Sequence, residues 1–323
     1  MPSIAPLDIL NYCLFSGFVD DIPTFVGADG IIHQLRGTHV ETQAHDGIVS
    51  VALSVDKKSL LTGGEDGKLN RLNNDGTVET LLQKGSQWIT SVASGPDGAF
   101  ACASGRTVWA KNGDVEKEFK HERSVEGLAF APKGLRLAVA RYNGVTLHWL
   151  GTNAQPQDLE WKGAHFAVTF SPDGRFLITA MQENALHGWR LSDNKHLRMA
   201  GYPSKVKSFS WAAKSKWLAT SGAPAAVVWP FQGKDGPMGK APLELGTRAD
   251  TMVTCVSCHP EEEMVAIGFA DGMILFVRFV DAKEVLLRRS GNSAITSMHW
   301  DNAGLRLAYG SDKGECGVID ITT

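Results

Sequence analysis

The chain has 323 residues, with 32 Lys+Arg against 35 Asp+Glu and a net charge of −3. Near-balanced charge excludes the basic footprint of a nucleic-acid binder and gives no attraction to an anionic membrane surface. Apolar residues at 43% and charged residues at 21% exclude a disordered chain and fit a globular one, rich in Trp (9) but poor in Tyr (4).

The opening stretch, Met1 to Phe15, lacks the basic n-region and long apolar core of a secretory signal. No segment reaches the roughly 18 apolar residues needed to cross a bilayer as a helix. The most apolar one, Met264 to Val280, is broken by Asp271, Gly272 and Arg278. Five scattered cysteines (Cys13, Cys102, Cys255, Cys258, Cys316) suit reduced thiols within apolar runs, so a cytoplasmic protein is expected.

In chain order, one shape recurs eight times: an apolar run, a small-residue turn, and a second apolar run. The copies lie at 24–35, 60–72, 100–110, 136–150, 176–190, 217–230, 264–279 and 306–321. Several turns hold Asp-Gly or Asn-Gly, which tolerate the positive φ of a tight hairpin. The second runs carry Trp109, Trp149, Trp189 and Trp229 at a constant 40-residue spacing, with Leu35, Leu72, Val277 and Ile319 at the same register elsewhere. That register predicts a repeated core position. Ahead of seven hairpins lies another strand ending in a polar turn, as in 168–174 (VTFSPDG), where Pro and Asp reverse the chain. Counting back from these turns predicts an inward column of Leu53, Phe130, Phe170, Trp211, Cys258 and Trp300.

A period of about 40 residues with four short strands implies an all-β propeller of four-stranded antiparallel blades. Eight blades are favoured, with seven and a degenerate first unit as the alternative. Residues 1–323 are expected to form one domain. The last unit lacks its outermost strand, and residues 1–12 are expected to supply it and close the ring.

The SPDG-like turn, the Asp-Gly hairpin and the Trp ending the third strand resemble the WD-repeat family of β-propellers over nearly the whole chain. The resemblance implies a non-catalytic scaffold or adaptor with a protein partner, no cofactor, no nucleic acid and no membrane. The sequence departs from the family pattern in having no Trp-Asp dipeptide: Ala110, Leu150, Arg190 and Pro230 follow the four tryptophans. No Gly-His dipeptide precedes an inner strand, although His45 and His121 fall near that place. The family's structural hydrogen-bond network is therefore expected to be incomplete in most blades.

Cys255-Val-Ser-Cys258-His259 formally matches a c-type haem attachment string. Strand alternation sets Cys255 and Cys258 on opposite faces, which argues for a structural role. The ten histidines show no metal-ligand motif, and no nucleotide loop or nucleophile elbow occurs, so neither a metal site nor an enzyme is expected. His165 stands in a column otherwise filled by Ile48, Ile89, Val125, Val206, Val253 and Ile295. It is either a satisfied structural residue or a ligand, and an alternative function is a small-molecule or metal-binding propeller using His165 in the central channel. Trp88 occupies the turn entering an inner strand, where Lys205 and Met252 are equivalents. With the turn residues Arg141 and Tyr142, these make the candidate top-face binding set: Trp88, Arg141, Tyr142, His165, Lys205 and Met252. Lysines at 205, 207, 214 and 216 and glutamates at 261–263 form a basic and an acidic patch, each a solvated face or a partner contact.

Overall fold

The computed structural model describes residues 3–322. Among the described residues, thirty strands follow one another with two short 3-10 turns between them. β1 (Ser3–Asp8) precedes β2 to β5 (Cys13–Val19, Ile22–Gly27, Ile31–Arg36, Thr38–Gln43) and β6 to β9 (Ile48–Leu53, Leu60–Gly64, Lys68–Leu72, Val78–Gln83). β10 to β13 (Ser91–Ser94, Phe100–Ser104, Thr107–Asn112, Val115–Lys120) lead to β14, β15 and β16 (Val125–Phe130, Arg136–Trp149, Gln157–Phe170). β17 to β19 are Phe176–Met181, Ala185–Arg190 and Lys195–Met199, and β20 to β23 are Phe209–Trp211, Trp217–Thr220, Ala226–Pro230 and Leu243–Leu245. β24 to β27 (Val253–Cys258, Met264–Phe269, Ile274–Arg278, Glu284–Arg288) and β28 to β30 (Ile295–Trp300, Arg306–Ser311, Glu315–Asp320) end the chain.

All recorded pairings are antiparallel, and the architecture is that of a β-propeller built on four-stranded meanders. The chain divides into two compact units. One comprises Met1–Ala28, Ile32–Glu41 and Met199–Thr323, the other Asp29–Ile31 and Thr42–Arg198. In the first, β1 pairs with β30, so the strand missing from the last repeat comes from the start of the chain.

The eight separate blades favoured from the repeats need correcting, because hydrogen bonding makes seven sheets: six of four strands and one of six, β14 to β19. The fourth and fifth repeats keep their own inner ladders, Leu128↔Val139 and Val168↔Thr179, but share one sheet. The cause is local. β15 and β16 each run 14 residues without a break, and Tyr142 pairs with Ala164 between the two repeats. Asn143 (φ 67°) and Gly144 (φ 131°) turn the chain without ending the strand. A Cβ at Gly144 would collide with the Leu159 carbonyl oxygen, so only glycine lets the two backbones come this close.

The polar turns fold as their residues dictate. At 171–176 the Ser171 hydroxyl donates to Asp173 Oδ1 (2.6 Å), while the Phe176 amide donates back to Ser171 Oγ (2.9 Å). Ser54 and Asp56 repeat the arrangement at 2.6 Å, with the Ser59 amide donating to Ser54 Oγ. These Asx- and Ser-based turns satisfy the backbone groups left over by the ladders.

The tryptophan register does not give a uniform core. Trp189 is 1% exposed and Trp229 is buried, but Trp109 and Trp149 are half-buried. Leu72, Val277 and Ile319 are buried at the same register, whereas Leu35 is half-buried.

The hydrogen-bond network expected to be incomplete in most blades is built at two of them by different residues around one threonine register. His45 Nδ1 lies 3.0 Å from Asp66 Oδ1 and its Nε2 lies 2.9 Å from Thr62 Oγ1. Burial pushes the Asp66 carboxyl up, but hydrogen bonds from His45 and the Lys68 amide outweigh it and hold it below its ordinary range. At the matching Thr220, Trp229 Nε1 donates to the Tyr202 hydroxyl (2.6 Å). Thr220 spends its own proton on the Val227 carbonyl, so Tyr202 donates to Thr220 Oγ1 at 2.7 Å. Tyrosine here does the work that histidine does beside Thr62.

Candidate functional site

Tyr142 stands at the tip of the β15 turn and is 47% exposed. Its neighbour Arg141 is tied down: Nη2 donates to Asp158 Oδ1 (2.7 Å), Nε to Thr146 Oγ1 (2.9 Å) and Nη1 to the Tyr142 carbonyl (3.2 Å). Thr146 in turn donates to Asp158 Oδ1 at 2.6 Å. Burial pushes the Asp158 carboxyl up, but the bonds from Thr146 and Arg141 prevail and keep it ionised below its ordinary range. Arg141 is therefore a brace, and Tyr142 is the displayed group. Across the bridge, the Ala164 amide donates to Glu183 Oε1 (3.3 Å) and the Gln182 amide to the Ala164 carbonyl (3.0 Å), so the 181–184 turn adjoins the bridge.

Trp88 lies on the connection between β9 and β10 and is 53% exposed. Ile89 beside it is buried, and its amide donates to the Gly64 carbonyl (3.0 Å), so the segment is anchored while the indole projects. Trp88, Arg141, Tyr142 and His165 belong to the unit containing Thr42–Arg198. Lys205, which is exposed, and Met252, which is half-buried, belong to the other unit.

His165 is 0% exposed. Its Nε2 lies 2.9 Å from the Trp161 carbonyl, an acceptor only, so Nε2 carries the proton and Nδ1 faces Thr179 Oγ1 at 2.8 Å. Burial depresses its pKa and keeps it neutral. Both nitrogens are spent inside the sheet, which removes the basis for His165 as a channel ligand. A cavity of about 290 Å³ along the inner strands of this unit is lined by Leu53, Leu128, Phe130, Phe170 and Thr169 among others, with no titratable side chain.

The apparent haem string is structural. Cys258 packs with Val256, Ala212 and Phe279, while Cys255 packs on the other side with Met298 and Trp300. Burial pushes the thiols up to about 11 for Cys255 and about 12 for Cys258, so neither is a nucleophile at neutral pH. The two charge patches meet: Lys216 Nζ lies 3.0 Å from Glu263 Oε1, which turns part of each patch toward the other.

A cluster invisible from spacing sits on the β4–β5 hairpin. His33 Nδ1, His39 Nε2 and Glu41 Oε1 converge, at 3.0 Å between the nitrogens and 3.6 and 3.8 Å from each to the carboxylate. His39 and Glu41 are two apart on one strand and so share a face, and Gly37 (φ 75°) turns that strand back beside His33. Alternation on β5 was the only available signal.

Known proteins place this architecture. A family model described as "Anaphase-promoting complex subunit 4 WD40 domain" matches residues 256–323, and one described as "WD domain, G-beta repeat" matches residues 37–70. A 77 kDa echinoderm microtubule-associated protein of Strongylocentrotus purpuratus is 25% identical over 173 residues, which cover 49% of this chain and only 25% of that protein. The crystal structure of the C-terminal WD40 domain of Sif2 superposes with a TM-score of 0.78 at 16% identity, covering 99% of this chain and 98% of the other. The computationally designed Ika8 protein gives 0.77 at 18% identity, again over 99% and 98%. Family models of WD repeats match two separate stretches, and over nearly the whole chain the fold is that of a WD40 β-propeller.

Proposed function

We propose that the protein is a non-catalytic scaffold that binds a protein partner through the exposed turn residues Trp88 and Tyr142, the latter braced by Arg141. The observation that carries this reading is an exposed Tyr on an immobilised support. Rigid, amphipathic aromatics lose little side-chain entropy on binding and are enriched among interface hot spots. WD40 propellers commonly act as interaction scaffolds, and the names of the matching family and relative, a complex subunit and a microtubule-associated protein, fit that class. His165 supports the fold in this reading, and Lys205 and Met252, in the other unit, are not part of the proposed surface. The cytoplasm is the proposed location, because five buried free thiols persist there without pairing. A net charge of −3 favours a protein surface over nucleic acid or membrane.

The test is quantitative affinity purification from the source cell with the parent chain and the Trp88→Ala/Tyr142→Ala variant. The expected result is loss of the main co-purifying protein with an unchanged thermal melt. Full retention of that protein by the double variant sinks the proposal.

A further inference from the structure

We propose that His33, His39 and Glu41 form a binding site for one divalent transition-metal ion, with Zn2+ the favoured occupant. The site lies outside the surface assigned to the partner and does not depend on it. Three donor atoms already stand 3.0, 3.6 and 3.8 Å apart. Ligands about 2.0–2.1 Å from a tetrahedral Zn2+ are separated by roughly 3.3–3.4 Å, so only small side-chain shifts are needed to enclose an ion. Two imidazoles and one carboxylate are a borderline N/O set that suits Zn2+ and its neighbours in the transition series, and imidazole disfavours Ca2+ and Mg2+.

Burial is graded across the cluster. His33 is buried at 5% side-chain exposure, His39 is 34% exposed and Glu41 is 59% exposed. The inner ligand is thus held by the sheet, the outer two can adjust, and solvent can supply a fourth ligand. Glu41 provides the negative charge that repays desolvation of the cation, and neutral imidazoles are the binding form.

A second histidine pair serves as an internal control. His187 Nε2 and His196 Nδ1 also lie 3.0 Å apart, on β18 and β19. His187 stands two residues before Trp189, as His33 stands two before Leu35, and each partner is the second residue of its outer strand. Two residues beyond His196, however, the chain carries Arg198, whose charge further lowers the pKa of His187. The same register and N···N distance with a cation in place of the carboxylate repel a metal ion.

Tag-free, chelator-stripped full-length protein is titrated with Zn2+ by calorimetry and with Co2+ by visible absorption. One equivalent is expected to bind saturably, with the visible bands of four-coordinate Co2+. His39→Ala and Glu41→Gln change exposed residues and are expected to leave the metal-free melt unaltered while weakening binding roughly tenfold or more. His196→Ala is expected to bind as the parent does. Absence of saturable binding, equal affinity in the parent and both ligand variants, or loss of binding in His196→Ala each overturns the assignment.

Discussion

The hairpin pair His33–His39 and the pair His187–His196 share a register and an N···N distance of 3.0 Å, yet their surroundings differ. In both, the inner histidine is buried and the outer one exposed. Beside the first stands Glu41. Over the second lies Trp161, stacked on the His187 ring at 3.9 Å and 12°, with Trp189 edge-on at 4.7 Å and Arg198 contributing positive charge. Burial does not separate the pairs, so the residue two further along and the aromatic cover decide their chemistry. One pair is open to a cation, and the other is kept neutral within an apolar stack.

The largest effect should come from the tryptophan beneath the second pair. Trp189 is 1% exposed and contacts both His165 and His187. Trp189→Ala should cost about 3–5 kcal/mol in a urea melt, from lost burial and the cavity left behind. Leu35→Ala, at the same register beside the first pair, removes a smaller, half-buried side chain and should cost clearly less. Equal losses would show that the two registers are packed alike, contrary to the burial pattern. Trp149, also half-buried, should behave like Leu35 rather than like Trp189.

Next in size is the response to acid. Burial, then the charges of His196, His165 and Arg198, push His187 down to about 3. In the same unit, burial and then His121 push His148 down to about 4. An unfolded histidine takes up its proton near pH 6.5, well before these folded ones do. Between about 6.5 and 4 the unfolded state therefore binds more protons, and stability falls as pH falls. At the matching register of another sheet, Thr80 Oγ1 donates to Asn70 Oδ1 at 2.8 Å, a pair that does not titrate. Copying it, His187→Asn/His196→Thr should flatten part of the loss in melting temperature between pH 7 and pH 4.5. If the variant's melt falls as steeply as the parent's, the buried histidines are not the acid-labile elements.

Much of the fold was legible because hairpin chemistry is local. Asp-Gly and Ser-Pro-Asp-Gly turns specify a reversal whatever surrounds them, and the 40-residue tryptophan spacing exposed the repeat. What escaped depended on neighbours. Tyr142-Asn143-Gly144 reads as the end of a hairpin, and only the approach of Ala164 turns it into a bridge joining two repeats. His165 looked like an exception in an aliphatic column, but Thr179 and the Trp161 carbonyl come from elsewhere in the sheet to satisfy it. The turn positions of Trp88 and Tyr142 were legible in the sequence. The brace on Arg141 was not, because Asp158 arrives from the next strand. His33, His39 and Glu41 follow no known ligand spacing, and their convergence needs the turn at Gly37.

The smallest and sharpest change is to exchange the charges. Arg198→Glu would place a carboxylate two residues beyond His196, as Glu41 stands two beyond His39. Arg198 is exposed, so the metal-free stability should shift by no more than about 0.5 kcal/mol, as surface substitutions usually do. Removing its positive charge should relax the downward shift of His187 in direction, while burial persists. If the neighbouring charge alone separates the two pairs, the variant should take up a second equivalent of Co2+ with a larger visible amplitude, and Glu41→Arg should abolish the first. A stoichiometry that stays at one in Arg198→Glu would instead assign the difference to the Trp161 stack, which holds the His187 ring in place. Trp161→Ala in the Arg198→Glu background would then release the ring and restore the second equivalent.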